Sequence, residues 1–404
     1  MKLKFLILLA IFLANTGFAE ESDVLKFNGF GTLGLVHSDN DKADFVTTLV
    51  QSRGAGYTRS WSPVVDSRLG MQLSFVPNQK FSAVFQAIAE QRDDGVVRPE
   101  VEWAYLQYAL TSDMTIRVGR TVLPIYLNSQ HRKVGYANVW VRPPVEFYVV
   151  PFNTGDGIDI TYNRHFGELN YTFQGVVSQY DQEQGGGYST EFRDGLTIAN
   201  TFQYGAATFR LAYIRSVLTT KEINEFFDVF RIFGPEGVAI ADKYDIDGKR
   251  VQIITVGGSY DPGTWFVTGE WNKSQSRTSL GDTTAWYVSG GYRWGSVTPY
   301  LTYSQTRSVD SDQNDGLNLS SIPPPLIGLA SGLNGVLSTL IRPVDQKTIS
   351  IGTRWDFAEN AAFKVQYNHI NLGSNSSGTL SNVQPDFKLG DSVNLLSMTV
   401  DFIF

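Results

Sequence analysis

From Phe27 to Phe404 the chain repeats one pattern, in which apolar and polar side chains alternate over segments of strand length. A period of two residues places one set on each face of a sheet. The last segment shows it best: Leu396, Met398, Val400, Phe402 and Phe404 fall on one face, and Ser397, Thr399 and Asp401 on the other. Leu69, Met71, Leu73 and Phe75 alternate in the same way with Arg68, Gly70, Gln72 and Ser74, and Phe363, Val365 and Tyr367 with Lys364, Gln366 and Asn368.

Read along its length, this pattern predicts strands near 27–36, 67–77, 80–90, 100–110, 114–120, 157–163, 167–179, 191–202, 205–216, 249–260, 264–274, 283–293, 296–307, 346–356, 361–371 and 393–404. An even set of about sixteen lies in the range of bacterial transmembrane barrels. The connections alternate in length. Tight turns at 77–80, 111–113, 164–167, 261–263 and 294–296 separate hairpin partners, and long polar segments join the pairs. Short turns at one rim and long loops at the other are the asymmetry of a membrane barrel. Within the long segments, Ile223, Phe226, Phe227 and Phe230 recur at helical spacing, and 321–341 reads as a Pro-, Gly- and Leu-rich loop.

The N-terminus adds a route to the membrane. Lys2 and Lys4 precede an apolar run from Phe5 to Leu13 and a small-residue site ending at Ala19, the layout of a secretory signal peptide over residues 1–19. That run is too short for a spanning helix, which requires ~20 apolar residues. The mean hydropathy of −0.14 is compatible with a barrel, whose strands show lipid only every second residue. The five tryptophans Trp265, Trp271, Trp286, Trp294 and Trp355 are candidate members of interfacial girdles.

Composition narrows the chemistry. With 0 Cys there is no thiol catalysis, disulfide or thiolate metal site. The formal net charge of −7, made more negative by loss of Lys2 and Lys4, argues against nucleic-acid binding. Of the 4 His, His37 and His131 fall in loops, His165 in a turn and His369 near a strand end. None stands in a pattern that suggests a nucleophile and base held together, and no paired-histidine metal motif occurs. Neither an enzyme nor a cofactor is expected.

Parity also assigns the charged residues. An arginine near the midplane of the lipid face costs ~2 to 4 kcal/mol, so Arg68, Arg117, Arg210 and Arg354, whose neighbours are apolar, are expected to face the lumen.

These features together resemble the Gram-negative trimeric porins, and among them porin-like proteins of Gammaproteobacteria. The likeness is carried by Ser67-Arg68-Leu69-Gly70, by Val118-Gly119-Arg120 and by the terminal Phe404, and it covers nearly the whole chain after the signal. It implies a homotrimer in the outer membrane, in contact with lipid and lipopolysaccharide. It also implies a C-terminal aromatic, Phe404, read by the outer-membrane assembly machinery. The loop after the fifth strand, 121–156, is then a constriction loop carrying Arg132, Lys133, Arg142 and Glu146, stiffened by Pro143 and Pro144. Its basic residues are many and its acidic ones few. The candidate eyelet sets Arg68, Arg117 and Arg120 against Glu146 and Asp156, because rings of charge are how pores select. The expected function is passive diffusion of ions and small hydrophilic solutes. Two alternatives stand beside it: a channel selective for anionic or sugar solutes, and a barrel without a channel role, adhesive or structural.

Overall fold

The computed structural model describes residues 24–48, 50–148, 153–183, 189–276, 278–309 and 316–404. The signal-peptide reading over 1–19 lies outside these residues.

Sixteen long strands are present among the described residues: β1 (Leu25–Ser38), β2 (Arg68–Phe75), β3 (Phe81–Gln91), β4 (Val97–Ala109), β5 (Met114–Val122), β6 (Thr154–Phe166), β7 (Leu169–Glu183) and β8 (Ser189–Tyr204) make the first half. The second half is β9 (Ala207–Thr220), β10 (Lys249–Tyr260), β11 (Trp265–Gln275), β12 (Thr283–Tyr292), β13 (Val297–Ser308), β14 (Asp345–Ala358), β15 (Ala361–Leu372) and β16 (Ser392–Ile403). Each pairs antiparallel with the next, and β16 pairs back on β1 from Phe30 opposite Ile403 to Ser38 opposite Leu395. The sheet is therefore closed, and no ladder edge is left unpaired. Every strand predicted from alternation is found, with ends displaced by a few residues.

The alternation is resolved into an apolar outside and a polar inside. Leu106, Val118, Ile158, Leu301 and Ile351 are each more than half exposed on the exterior. Thr197, Ser289, Thr302, Gln346 and Ser397 are buried on the interior. This is the reverse of a water-soluble fold and suits a wall set in lipid. The five candidate girdle tryptophans are all exposed, Trp294 most of all.

Strand pairs are joined at one rim by short turns, such as Gly205 and Ala206 between β8 and β9. Gly205 adopts φ 53°, a left-handed conformation that lacks a steric penalty only for glycine. Both ends of the wall reach this rim. There Gly29 exchanges backbone hydrogen bonds with Phe404 (2.7 and 3.0 Å), and the Phe404 ring covers the space a Cβ at Gly29 would fill.

The opposite rim carries the long connections. Residues 39–67 and 373–391 fold together over β1, β15 and β16. Phe45, Val65, Leu380 and Phe387 pack with Val36, Ile370, Val393 and Leu395 of the wall. Between β9 and β10 lie α2 (Lys221–Arg231) and α3 (Pro235–Tyr244), with α1 (Val145–Tyr148) inside the loop after β5. The helical spacing seen around Phe227 is thus a helix whose Phe227 and Phe230 are buried. The stretch 321–341, read as a loop, contains α4 (Ile327–Leu340). Its glycines lower helix propensity, but Ala330, Leu333 and Leu337 recur on one face and pack against α2 and α3.

Candidate functional site

Because β5 ends at Val122 and β6 begins at Thr154, the connection between them is 123–153, and Thr121 and Asp156 belong to strands. This connection does not run over the rim. It enters the barrel, with contacts spread around the wall.

One set of contacts is apolar. Ile125, Tyr126, Trp140, Phe147 and Tyr148 pack against Val176 of β7, Ile214 of β9, Ile253 of β10, Phe266 of β11, Tyr287 of β12 and Tyr300 of β13. Burying this much apolar surface fixes the loop to one half of the wall. Trp140 Nε1 also donates to Ser289 Oγ (2.9 Å) and Thr302 Oγ1 (3.1 Å). Glu270 of β11 accepts from the Leu127 backbone N–H (2.8 Å), from Tyr287 Oη (2.8 Å) and from Tyr148 Oη.

A second set is charged. Arg142 donates to both carboxylate oxygens of Asp66 (2.7 and 2.5 Å) and to Ser397 Oγ (2.6 Å), while lying 4.9 Å over the Phe45 ring. It thereby ties the loop to the 39–67 connection and to β16. Glu146 accepts from Ser304 Oγ (2.7 Å), Gln346 Nε2 (2.5 Å) and Thr348 Oγ1. Lys364 of β15, fully buried, pairs with Asp401 (2.9 Å) and donates to the Gly135 and Trp140 carbonyls (2.7 and 2.9 Å). Arg354 donates to the Tyr136 and Asn138 carbonyls (2.6 and 3.0 Å), and Arg210 to that of Tyr126 (2.8 Å). These two wall arginines hold loop backbone.

A cavity of about 110 Å³ lies between the loop and β2, β3, β4 and β7. Arg68, Glu90, Glu102, Arg132, Lys133 and Tyr180 are among its lining residues. Lys133 Nζ bridges Glu90 (2.7 Å) and Glu102 (2.8 Å), and Arg68 stands 3.8 Å from Glu90. Burial pushes the Lys133 ammonium down, but Glu102 and Glu90 outweigh it and hold its pKa above the ordinary lysine value. Lys133 is therefore charged at neutral pH.

Of the candidate eyelet residues, the structure brings Arg120 and Asp156 together as a bidentate pair on β5 and β6 (2.8 and 2.8 Å), with Arg120 5.2 Å over the Tyr180 ring. Arg117 pairs instead with Asp159 (2.7 Å). Glu146 stands with β13 and β14, apart from these arginines. Arg132 is buried beside Lys133 in the cavity wall. Glu90, Glu102, Asp66 and Lys364 were not singled out from sequence. The signal for Glu90 was present, since Phe85, Ala87 and Ala89 outward force it inward. For Glu102 it was obscured by a bulge between Gln86 and Ala87 that breaks the register with β4.

Fold and lumen together define a transmembrane-type barrel of sixteen strands with an infolded loop narrowing a polar interior. That is the fold of the Gram-negative outer-membrane porins. The chain is similar to Salmonella typhi OmpF, solved in complex with daunomycin, at 14% identity and a TM-score of 0.55, over 94% of this chain and 97% of that one. The outer membrane channel DcaP of Acinetobacter baumannii matches at 12% identity and 0.54, over 96% and 100%. The anion-selective porin from Comamonas acidovorans matches at 12% and 0.53, over 94% and 99%. No protein-family model matches the sequence, and no curated protein matches it.

Proposed function

We propose that this chain is an outer-membrane channel of a Gram-negative bacterium, exported by its N-terminal signal, through which small hydrophilic solutes diffuse passively. The observation that carries this reading is the loop after β5, whose described residues fold into a sixteen-strand barrel and border a cavity lined by charged side chains. Barrels of this strand number enclose an aqueous channel. The outward apolar band supports insertion in lipid, and Phe404, outward and at the closing seam, suits a residue read during assembly. One channel per subunit of a homotrimer follows the likeness to solved outer-membrane proteins, one of which, OmpT of Vibrio cholerae, is described in a trimer form.

The lining of the cavity favours a second reading, that of a substrate-selective pore. Charged side chains of both signs line it, and such groups discriminate among solutes by charge as well as by size. Liposome swelling with sugars and anions of graded size separates the two. Rates ordered by size alone support the general channel, and saturable uptake of one solute class supports the selective one. Vesicles carrying inserted protein that admit no solute refute both.

A further inference from the structure

On the outside of β9 the apolar run Phe209, Leu211 and Tyr213 is followed, at the next position of the same parity, by Arg215, which is exposed while Ile214 and Ser216 beside it are buried. Arg250 of β10 is exposed on the same outer face as Ile254 and lies two positions beyond Gln252, the residue opposite Arg215. Such diagonal neighbours have their side chains rooted ~7 to 8 Å apart. Two guanidiniums at that spacing can close on one anion. Farther along the wall Lys273 of β11, Arg307 of β13 and Lys347 of β14 also face outward, and Lys273 and Arg307 stand in one row through Thr284. All five lie at the long-loop ends of their strands, with Lys273 two positions on the loop side of the exterior Trp271–Trp286 pair.

We propose that Arg215 and Arg250 form an exterior site for the phosphate groups of an anionic lipid headgroup in the leaflet at the long-loop rim, with Lys273, Arg307 and Lys347 extending it along the wall. The inference rests on the outer-membrane reading above and adds a site outside the barrel, away from the passage. Pairing supports it first. Other rim arginines have protein carboxylates: Arg164 pairs with Asp113 (3.0 Å) and Arg293 with Asp261 (2.6 and 2.7 Å) at the short-turn rim, and Arg193 of β8 with Asp181 and Glu191. Among the described residues, the five cations of the row have neither an ion pair nor a side-chain hydrogen bond. Asp345 stands opposite Arg307 and Asp194 lies near Arg215, and neither forms an ion pair with them.

Shape supports it next. β8 bulges between Arg193 and Leu196, with Asp194 at φ 51°, and a bulge bends its strand away from the ladder. Beside it lies a groove of about 350 Å³ lined by Arg215, Arg250, Asp194 and the apolar Val177, Leu196 and Val217. The arginines meet a phosphate there while acyl chains lie along Val177, Leu211 and Ile254, all exposed. The row crosses five inter-strand spacings, ~24 Å. That width fits packed headgroups, not one free anion, and basic residues at a membrane surface attract anionic lipid.

The test is calorimetric titration of the refolded full chain in detergent micelles with diphosphoryl lipid A, monophosphoryl lipid A, phosphatidylcholine and inorganic phosphate. Wild type is expected to bind the diphosphoryl form in preference to the other three. Removing one cation ~4 Å from a phosphate in a water-like dielectric weakens the attraction on the order of fivefold, so Arg215→Gln with Arg250→Gln should lower that affinity more than ~10-fold. Arg215→Lys with Arg250→Lys keeps both charges and most of the affinity. Arg164→Gln with Arg293→Gln removes two cations at the opposite rim and should leave binding unchanged. A Gln double variant that binds like wild type overturns the site, and so does an equal loss in the opposite-rim variant, which reduces the effect to net charge. Inorganic phosphate that displaces the lipid at equal concentration overturns the lipid source. Wild-type protein that does not insert into phospholipid vesicles overturns the outer-membrane reading instead. Should the Gln double variant not fold, Arg215→Gln and Arg250→Gln decide singly, each with a loss on the order of fivefold.

Discussion

Replacing Lys364 by Met tests whether the closing seam and the infolded loop are held by one buried ion pair. Lys364 and Asp401 are both at 0% exposure, on neighbouring strands β15 and β16. Lys364 Nζ also donates to two loop carbonyls, and Asp401 accepts from Thr32 Oγ1 of β1 (2.5 Å) and Thr399 Oγ1 (3.2 Å). The methionine matches the lysine stem in volume, so the change is one of charge and hydrogen bonding. Removing one partner of a buried pair leaves an uncompensated charge and costs about 3 to 5 kcal/mol. Adding Asp401→Asn removes that charge, and the double variant should retain only the lost hydrogen bonds, about 1 to 2 kcal/mol. The measurement is urea unfolding of protein folded into phospholipid vesicles, followed by tryptophan fluorescence. A single variant within 1 kcal/mol of wild type, or a double variant no more stable than the single, refutes the reasoning.

Other perturbations probe the loop and the seam separately. Trp140→Phe keeps the ring against Tyr287 but loses the donor to Ser289 and Thr302; those two hydroxyls bond each other at 2.7 Å, so the loss should stay near ~1 kcal/mol by urea unfolding. Gly29→Leu places a Cβ 2.2 Å from the Phe404 ring and should cost ~1 to 3 kcal/mol through overpacking. Deletion of Phe404 should slow insertion into vesicles while molecules that do insert keep wild-type conductance. Burial, together with the Arg210 guanidinium, lowers the pKa of His131 in the loop. The folded state then binds its proton less readily than the unfolded chain, so the stability this neutral imidazole retains above the ordinary histidine pKa is lost as pH falls below it. His131→Gln should flatten the acid side of the stability profile between pH 7 and 5.

The loop shows how packing converts a flexible connection into a fixed part of the channel. Its apolar face is fastened to β7 and β9–β13, its charged groups reach β3, β4, β13, β14 and β16, and Lys364 of β15 holds its backbone. A segment anchored in so many directions has one position, and functional groups hold their geometry best when their surroundings are rigid. A cavity beside it lies against β2, β3, β4 and β7, where Lys133 meets the wall carboxylates.

The sequence by itself determined the wall. Alternation has a period of two and is enforced residue by residue by lipid on one side and water on the other, so strand number, order, facing and turn positions were legible without tertiary information. The inward direction of Glu90 was legible in the same way. Tertiary structure decided the lumen. Arg142 meets Ser397 across 255 positions of sequence, and Trp140 meets Thr302 across 162. No local pattern encodes such pairs. Glu146 took its place with Ser304, Gln346 and Thr348 rather than facing arginines, because the apolar face of the loop chose the wall it docks on and carried the carboxylate with it. The bulge beside Gln86 shifted parity in β4, and the α4 helix formed where glycines argued for a loop because α2 and α3 offered it a surface to cover. Local alternation fixes what lines the membrane, and long-range docking of one connection fixes what lines the passage.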